Sequence, residues 1–209
     1  MRGSRNDSLD NQDLTPCRGN TQEVVMSVSV APPEIVPLPV GVLSRARAHD
    51  GSALNVAVRQ SLAHLAPWMP WATADAADGA AQEEFIRDAE AQWNVGTDYV
   101  YLLRPVASAP VQGMFGLHRR IGPRALELGY WVHVAHVGRG LATAAAGALV
   151  SVGLDLDDVD RVEIHTDAAN TASAAVARRL GLRLARTDLR PPQSPAQVGC
   201  VQIWIRETT

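Results

Sequence analysis

The run Val137-Gly138-Arg139-Gly140-Leu141-Ala142-Thr143 lies between a strand-like segment and a helix-like one. Two glycines in this spacing let the backbone curl so that successive N–H groups point into one concavity. A helix opening beside Leu141 adds N–H groups without intrahelical partners and the positive end of its dipole. That is the chemistry of a cradle for phosphate or pyrophosphate. Arg139 either adds a charge to it or stays solvated. Fitted to the dinucleotide pattern G-x-G-x-x-G, the run places Thr143 where the third glycine belongs, a poor match. A phosphate-loop NTPase is excluded, because all 19 basic residues are arginine and the pattern needs a lysine. The plain alternative is a glycine turn that opens a helix and binds nothing.

The elements that must position this loop can be read from periodicity. From Val40 onward, strands are expected at 40–47, 99–104, 111–118, 124–134, 161–166, 182–187 and 198–206. Helices are expected at 50–62, with Asp50 as N-cap and Leu54, Val58 and Leu62 inward, and at 75–93, with Phe85, Ile86 and Trp93 in the core. Two more are expected at 140–152, rich in alanine, and at 171–179, ended by Gly181. The fold class is mixed α+β, one twisted sheet with helices on both faces. Residues 1–39 read as a flexible tail and a lead-in with prolines at 32, 33, 37 and 39, and residues 40–209 as one domain; Met26 is an alternative start.

Bulk properties narrow the function. A net charge of −3 gives no electrostatic case for nucleic acid. No run of about 18 apolar residues and no signal-peptide core is present, so neither a membrane nor export is implied and a cytoplasmic protein is expected. Cys17 and Cys200 lie far apart with no metal-ligand spacing, so neither a disulfide framework nor a metal is expected.

The flanks of the loop carry a resemblance. Upstream stands Glu127-Leu-Gly-Tyr-Trp-Val-His133, and downstream Asn170-Thr-Ala-Ser173-Ala-Ala-Val176-Ala-Arg-Arg-Leu180-Gly181-Leu182. In this order the segments resemble the GNAT N-acetyltransferase superfamily: E-x-G-Y-W on a strand, x-G-R-G-x-A-T opening the central helix, then N-x-x-S-x-x-V-x-x-x-L-G-[FL]. Ser61-Leu-Ala-His-Leu-Ala-Pro67-Trp68-Met69-Pro70-Trp71 is similar to a segment of the ribosomal-protein N-terminal acetyltransferase (RimJ/RimL-like) branch. The resemblance covers roughly residues 40–206. It departs from the family's habit at Val137, where glutamine or arginine is common; the loop loses a side chain there but keeps its backbone donors.

The resemblance implies a mostly antiparallel sheet splayed between its fourth and fifth strands, acetyl-coenzyme A as cosubstrate, no metal, and a primary amine as acceptor, either a protein N-terminus or a small molecule. It assigns the pantetheine arm to the backbone of Trp131, Val132, His133 and Val134, and the pyrophosphate to the N–H groups from Val137 through Gly138, Arg139, Gly140, Leu141 and Ala142 to Thr143. It places Asn170 beside the arm and Ser173 near the sulfur, where a hydroxyl can protonate the leaving thiolate. Helix capping is the competing role for Asn170 and Ser173.

For the proton lost by the amine, alternation puts Glu127, Gly129, Trp131 and His133 on one strand face, and a carboxylate half buried among rings is expected to have a raised pKa. The alternative is a glutamate paired with Arg124 or another arginine, and His133 and His165 are weaker candidates. The stiff turn at Pro67–Trp71 is expected to roof the acceptor site, Trp68 towards the core and Trp71 towards the pocket, with Tyr130 either lining the acceptor site or filling the sheet core. An aminoglycoside or polyamine acceptor and a non-catalytic coenzyme-binding module are the other readings, and a homodimer is left open.

Overall fold

Inward–outward alternation along the strands fixes which residues face which helices. The computed structural model describes residues 31–208. The chain runs β1 (Ile35–Leu38), β2 (Gly41–Arg45), α1 (Gly51–Leu65), α2 (Gly79–Val95), β3 (Asp98–Arg104), β4 (Gly113–His118) and β5 (Ala125–Val132). It continues with α3 (Leu141–Leu154), β6 (Arg161–Asp167), α4 (Thr171–Arg179), β7 (Arg183–Leu189) and β8 (Cys200–Glu207). The eight strands form one sheet in the order β1-β2-β3-β4-β5-β6-β8-β7. Every pairing is antiparallel except β5 with β6.

Helices α1 and α2 cover one face, where Leu54, Val58, Leu65, Ile86 and Ala89 pack on Val100, Leu102 and Trp131. Helices α3 and α4 cover the other, where Ala145, Ala146, Leu149, Ala174 and Ala177 meet Phe115, Leu117, Leu126, Leu128, Val162 and Ile164. Small residues let α3 lie close. A Cβ on Gly153 would come within 2.9 Å of the Val162 side chain and 3.3 Å of Leu126, so α3 presses on β5 and β6 where the two are joined.

That junction is short. β5 and β6 pair only over residues 125–127 and 161–163. Beyond it β5 stays with β4 as far as Val132↔Gly113, and β6 stays with β8 as far as Asp167↔Val201. The sheet therefore forks between residues 128–132 and 164–167. Alternate backbone N–H and C=O groups on each inner edge are left without a strand partner there.

The structure departs from the sequence-based expectation in four places. The sheet begins at Ile35, inside the proline-rich lead-in: Val36 is buried, and Pro37 sits in an edge strand, where a missing N–H is tolerated. Residues 1–30, with the tail, Cys17 and Met26, lie outside the described residues. β5 stops at Val132. Phe85 is 38% exposed, because the inward stripe of α2 runs through Ile86, Ala89 and Trp93. Asp50 does not cap α1. Its Oδ2 accepts from the Arg47 N–H at 2.8 Å, and its Oδ1 accepts from buried Arg104 Nη2 at 2.7 Å. No helix among the described residues is long and apolar enough to cross a membrane.

The Arg104–Asp50 pair makes a testable statement about the sheet's foundation. Asp50→Ala leaves the Arg104 guanidinium buried without its counter-charge, and is expected to cost about 3–5 kcal/mol in denaturant unfolding. A loss below about 1 kcal/mol would show the arginine finding water instead.

Candidate functional site

The glycine loop lies at the mouth of the fork. β5 ends at Val132, and His133 begins a single 3-10 turn over Val134–His136. Val137 is extended, Gly138 and Gly140 take φ of 74° and 77°, and α3 starts at Leu141. A Cβ at either glycine would meet nothing within 4 Å, so the left-handed backbone, not crowding, calls for glycine there. The first helical link at this end is Ala144 N–H to Gly140 O at 3.0 Å, and so the N–H groups of Leu141, Ala142 and Thr143 precede any intrahelical bond. Residues 137–140 are exposed. The cradle predicted from the two glycines is thus formed and open, with Val137 and Arg139 on its rim.

Just before it, His133 acts as a strut. Its Nδ1 accepts from the Ala135 N–H at 3.1 Å and its Nε2 lies 2.8 Å from Gln60 Oε1. Nδ1 must then be the bare nitrogen, and Nε2 donates to Gln60. Burial, then the neighbouring His136, pushes its pKa below the ordinary histidine value. Of the backbone donors expected at 131–134, His133 N–H goes to Gln112 O at 2.9 Å and Val134 N–H to Ser61 Oγ at 3.2 Å. Both are therefore spent on anchoring the turn; Trp131 lies in the ladder opposite Met114, and Val132 alone of the four turns its backbone groups into the fork.

Inside the fork, the α3/α4 face carries hydroxyls. Tyr130 projects from β5 onto α4, where its OH lies 3.0 Å from Ser173 Oγ, and its ring stacks on Phe115 with centroids 5.6 Å apart. Burial raises the Tyr130 phenol, and the Ser173 hydrogen bond only partly offsets this, so both groups keep their protons at neutral pH. Asn170 caps α4, its Oδ1 accepting from the Ser173 N–H at 3.1 Å, which leaves the Nδ2 hydrogens to other partners. Sequence reasoning paired Ser173 with Asn170 but not with Tyr130. The signal was there: alternation sets Tyr130 opposite Glu127, on the face that α4 covers.

The α1/α2 face carries charges. Gly116 and Gly129 pair across β4 and β5, leaving bare backbone. Around it stand His118, Glu127, Glu163 and His165. A cleft of about 380 Å³ opens over this face, lined by Arg120, Glu127, Arg161, Glu163, His165, Arg186 and Arg190. Glu127 differs from expectation. Burial pushes its pKa up, but a bidentate pair with Arg120, 2.8 Å to each oxygen, outweighs this and holds the carboxyl below its ordinary value. Arg124, the partner considered from sequence, binds Asp160 instead. Glu163 is only 3% exposed, with His165 Nε2 at 2.6 Å and Arg161 Nε at 2.7 Å. Burial again raises it, and the two hydrogen bonds again prevail, keeping it ionised.

Two loops meet above the fork. Gln197 Nε2 donates to Trp68 O at 3.0 Å and Ala196 N–H to Pro67 O at 3.0 Å, latching the α1–α2 connection to the β7–β8 connection. Trp68 is half-buried. Trp71 is 39% exposed, with its ring 6.4 Å from that of Trp131. Trp131 is itself buried, and its Nε1 has no acceptor among the described residues. Asp167, the last residue of β6, holds the β7–β8 loop: its carboxylate accepts from the Val198 and Gly199 N–H groups and from that of Ala169. No cluster that could hold a metal occurs among the described residues.

The family model described as an acetyltransferase (GNAT) domain matches residues 42–183. Among solved structures, the chain is similar to RimL, a ribosomal L7/L12 α-N-protein acetyltransferase in complex with coenzyme A. Identity is 22%, TM-score 0.75, and 83% of this chain and 98% of that one are covered. Mycobacterium smegmatis RimJ with a CoA disulfide is comparable, at 22% identity and TM-score 0.74, covering 84% and 88%. The microcin C7 self-immunity acetyltransferase MccE, in complex with acetyl-CoA and AMP, follows at 17% and 0.72, covering 81% and 97%. No curated protein matches the sequence.

The Asp167 knot gives a pH prediction. Burial would raise its pKa, but the backbone N–H groups outweigh this and depress it. Its contribution to stability is then complete above the unfolded value of about 3.9 and fades as pH falls through the lower folded value. Asp167→Asn is expected to lower Tm at pH 7 and to narrow its gap to the unsubstituted protein as pH falls through that range. A gap constant with pH would mean the carboxylate charge is not what holds the loop.

Proposed function

This chain belongs to the GNAT acetyltransferase family, and we propose that it transfers an acetyl group from acetyl-coenzyme A to a primary amine, the N-terminal α-amine of a peptide or protein. The observation that carries the reading is the coincidence of three features at one place: a forked sheet, an anion cradle at its mouth, and a hydroxyl pair inside it. The pyrophosphate fits the N–H groups from Gly138 to Thr143 with Arg139 alongside. The pantetheine amides fit the free strand edge at Val132 together with Asn170. Ser173, backed by Tyr130, then meets the sulfur and can donate to the thiolate as it leaves.

Transfer is direct, with amine and thioester bound together. The acceptor class follows from proton affinity. An α-amine, with a pKa near 7.7, reaches its neutral form at pH 7 for about 3.7 kcal/mol less than a lysine near 10.4. The fork offers no dense carboxylate cluster to take up a more basic amine. The cleft beside it is lined by four arginines, which disfavours a polycationic acceptor. The latched Pro67–Trp71 turn supplies a rigid aromatic roof suited to an extended peptide end, and the fold shared with RimL and RimJ points the same way. Cytoplasmic action fits an acceptor of this kind.

The test is mass spectrometry of a peptide panel incubated with acetyl-coenzyme A: free N-termini, the same peptides blocked at the N-terminus but carrying lysine, and spermidine. Acetylation confined to free N-termini is expected; modification of lysine or spermidine alone would overturn the acceptor class. Ser173→Ala is expected to lower kcat by about 10²-fold while acetyl-coenzyme A affinity stays put. An unchanged kcat would remove Ser173 from the reaction. Gly140→Val forces a β-branched residue into positive φ and is expected to weaken acetyl-coenzyme A binding about tenfold or more.

A further inference from the structure

The reaction needs a proton acceptor, and Glu127 is poorly suited to the part. Its two oxygens are both engaged by Arg120, which lowers its basicity and points it away from a third partner. The face of the fork opposite Ser173 holds another group. We infer that His165, oriented by buried Glu163, takes the proton from the acceptor amine. This rests on the acetyl-transfer reading above.

Position argues first. Glu163 is the last residue of β6 paired with β5, opposite Glu127. His165 is the next residue of β6 on the same face, and so stands just beyond the point where the strands part. Gly129 is its counterpart on β5, two residues beyond Glu127. Above Gly129 the nearest side chain is the His118 ring, 3.5 Å from where a Cβ would stand. A thioester carbonyl lying in the fork is thus flanked on one face by the Tyr130–Ser173 hydroxyls and on the other by the Gly129 backbone, with the imidazoles of His118 and His165 on that side. The cleft that His165 lines gives an amine its approach to this imidazole.

The hydrogen bonding argues second. Glu163 is ionised and has no proton to give, so at its 2.6 Å contact the His165 Nε2–H must donate. Nδ1 is then the bare nitrogen, and the carboxylate fixes the orientation of the ring. Arg161, on the far oxygen of Glu163, keeps that carboxylate from rotating away. The other charged groups on this side of the fork are His118 of β4 with Asp98 of β3, Glu127 with its Arg120, and Arg186 and Asp188 of β7 with Arg190 just after it. All but the His118–Asp98 pair are either arginines or carboxylates held by arginine. The step balances. The amine nitrogen forms the C–N bond as its proton passes to His165 Nδ1, the C–S bond breaks, and the thiolate sulfur takes a proton from the Ser173–Tyr130 pair. His165 then returns its proton to solvent through the cleft, and the Ser173–Tyr130 pair regains one from solvent once the products leave.

Glu163 is on this account a positioning residue. The test is the pH dependence of kcat/KM with a free-N-terminus peptide, for the unsubstituted protein, His165→Gln, His165→Ala and Glu163→Gln. Acetyl-coenzyme A affinity and thermal unfolding are recorded for each variant. The expected result is a fall in kcat of about 10²–10⁴-fold for both His165 variants with acetyl-coenzyme A affinity kept. Their residual rate should rise steadily with pH, and imidazole should partly restore His165→Ala. Glu163→Gln should lower kcat less than the His165 variants do while KM for the peptide and acetyl-coenzyme A affinity stay unchanged, as a positioning role requires. Full kcat with an unaltered profile in His165→Gln would overturn the assignment. So would a loss matched by lost acetyl-coenzyme A binding or folding in both His165 variants. If the unsubstituted protein binds acetyl-coenzyme A yet acetylates no amine, the acetyl-transfer reading fails first and this assignment falls with it. An active protein indifferent to His165 sinks the assignment alone.

Discussion

Three residue pairs of parallel sheet, 125–127 against 161–163, join the two halves of this protein, and the account of its chemistry depends on that pairing going no further. Were it to continue, the backbone groups beyond Leu128 and Ile164 would be used up in a ladder, and nothing could lie between the strands. Helix α3 supports the arrangement from one side. Its close approach at Gly153 presses it on the joined part of the strands, while its first turn, with the cradle, opens at the parted end. A strand edge that would otherwise invite aggregation is thereby turned inward.

The fork also separates chemistry by face. The hydroxyls of Tyr130 and Ser173 lie on the side packed by α3 and α4, and the ionisable residues lie on the side of α1 and α2. Strand alternation alone produces this division, because Tyr130 follows Gly129 and Ile164 follows Glu163. In the proposed reaction this keeps a donor for the departing sulfur and an acceptor for the incoming amine's proton on opposite sides of one carbonyl, where they do not neutralise each other. The ion pairs on the charged face tune what is left. Arg120 makes Glu127 a poor base, and Arg161 with His165 keeps a buried glutamate ionised.

How much of this was readable from the chain depends on the range of the interaction. The cradle was legible because two glycines and the helix that follows are local, and positive φ at Gly138 and Gly140 is a property of the backbone itself. The order of strands and helices was legible for the same reason. β1 was not: Pro37 and Pro39 read as breakers, and only its register with β2 and the burial of Val36 make the segment a strand. For Glu127 the sequence left open a base or a glutamate paired with an arginine; the pairing is found, with Arg120, because alternation shows which face a carboxylate is on but not which arginine reaches it. The Tyr130–Ser173 contact spans 43 residues, and only the packing of α4 on the sheet brings it about. His165 and Glu163 share a strand face in the sequence, yet nothing there tells that Glu163 is buried.

The claim on which the rest stands is that the fork and its cradle hold acetyl-coenzyme A. Calorimetric titration of the purified protein with acetyl-coenzyme A, with NADH as control, tests it most directly. Saturable micromolar binding of acetyl-coenzyme A and none of NADH is the predicted result. No binding of acetyl-coenzyme A, or equal binding of both, would mean that the glycine turn only opens a helix, and would contradict the account.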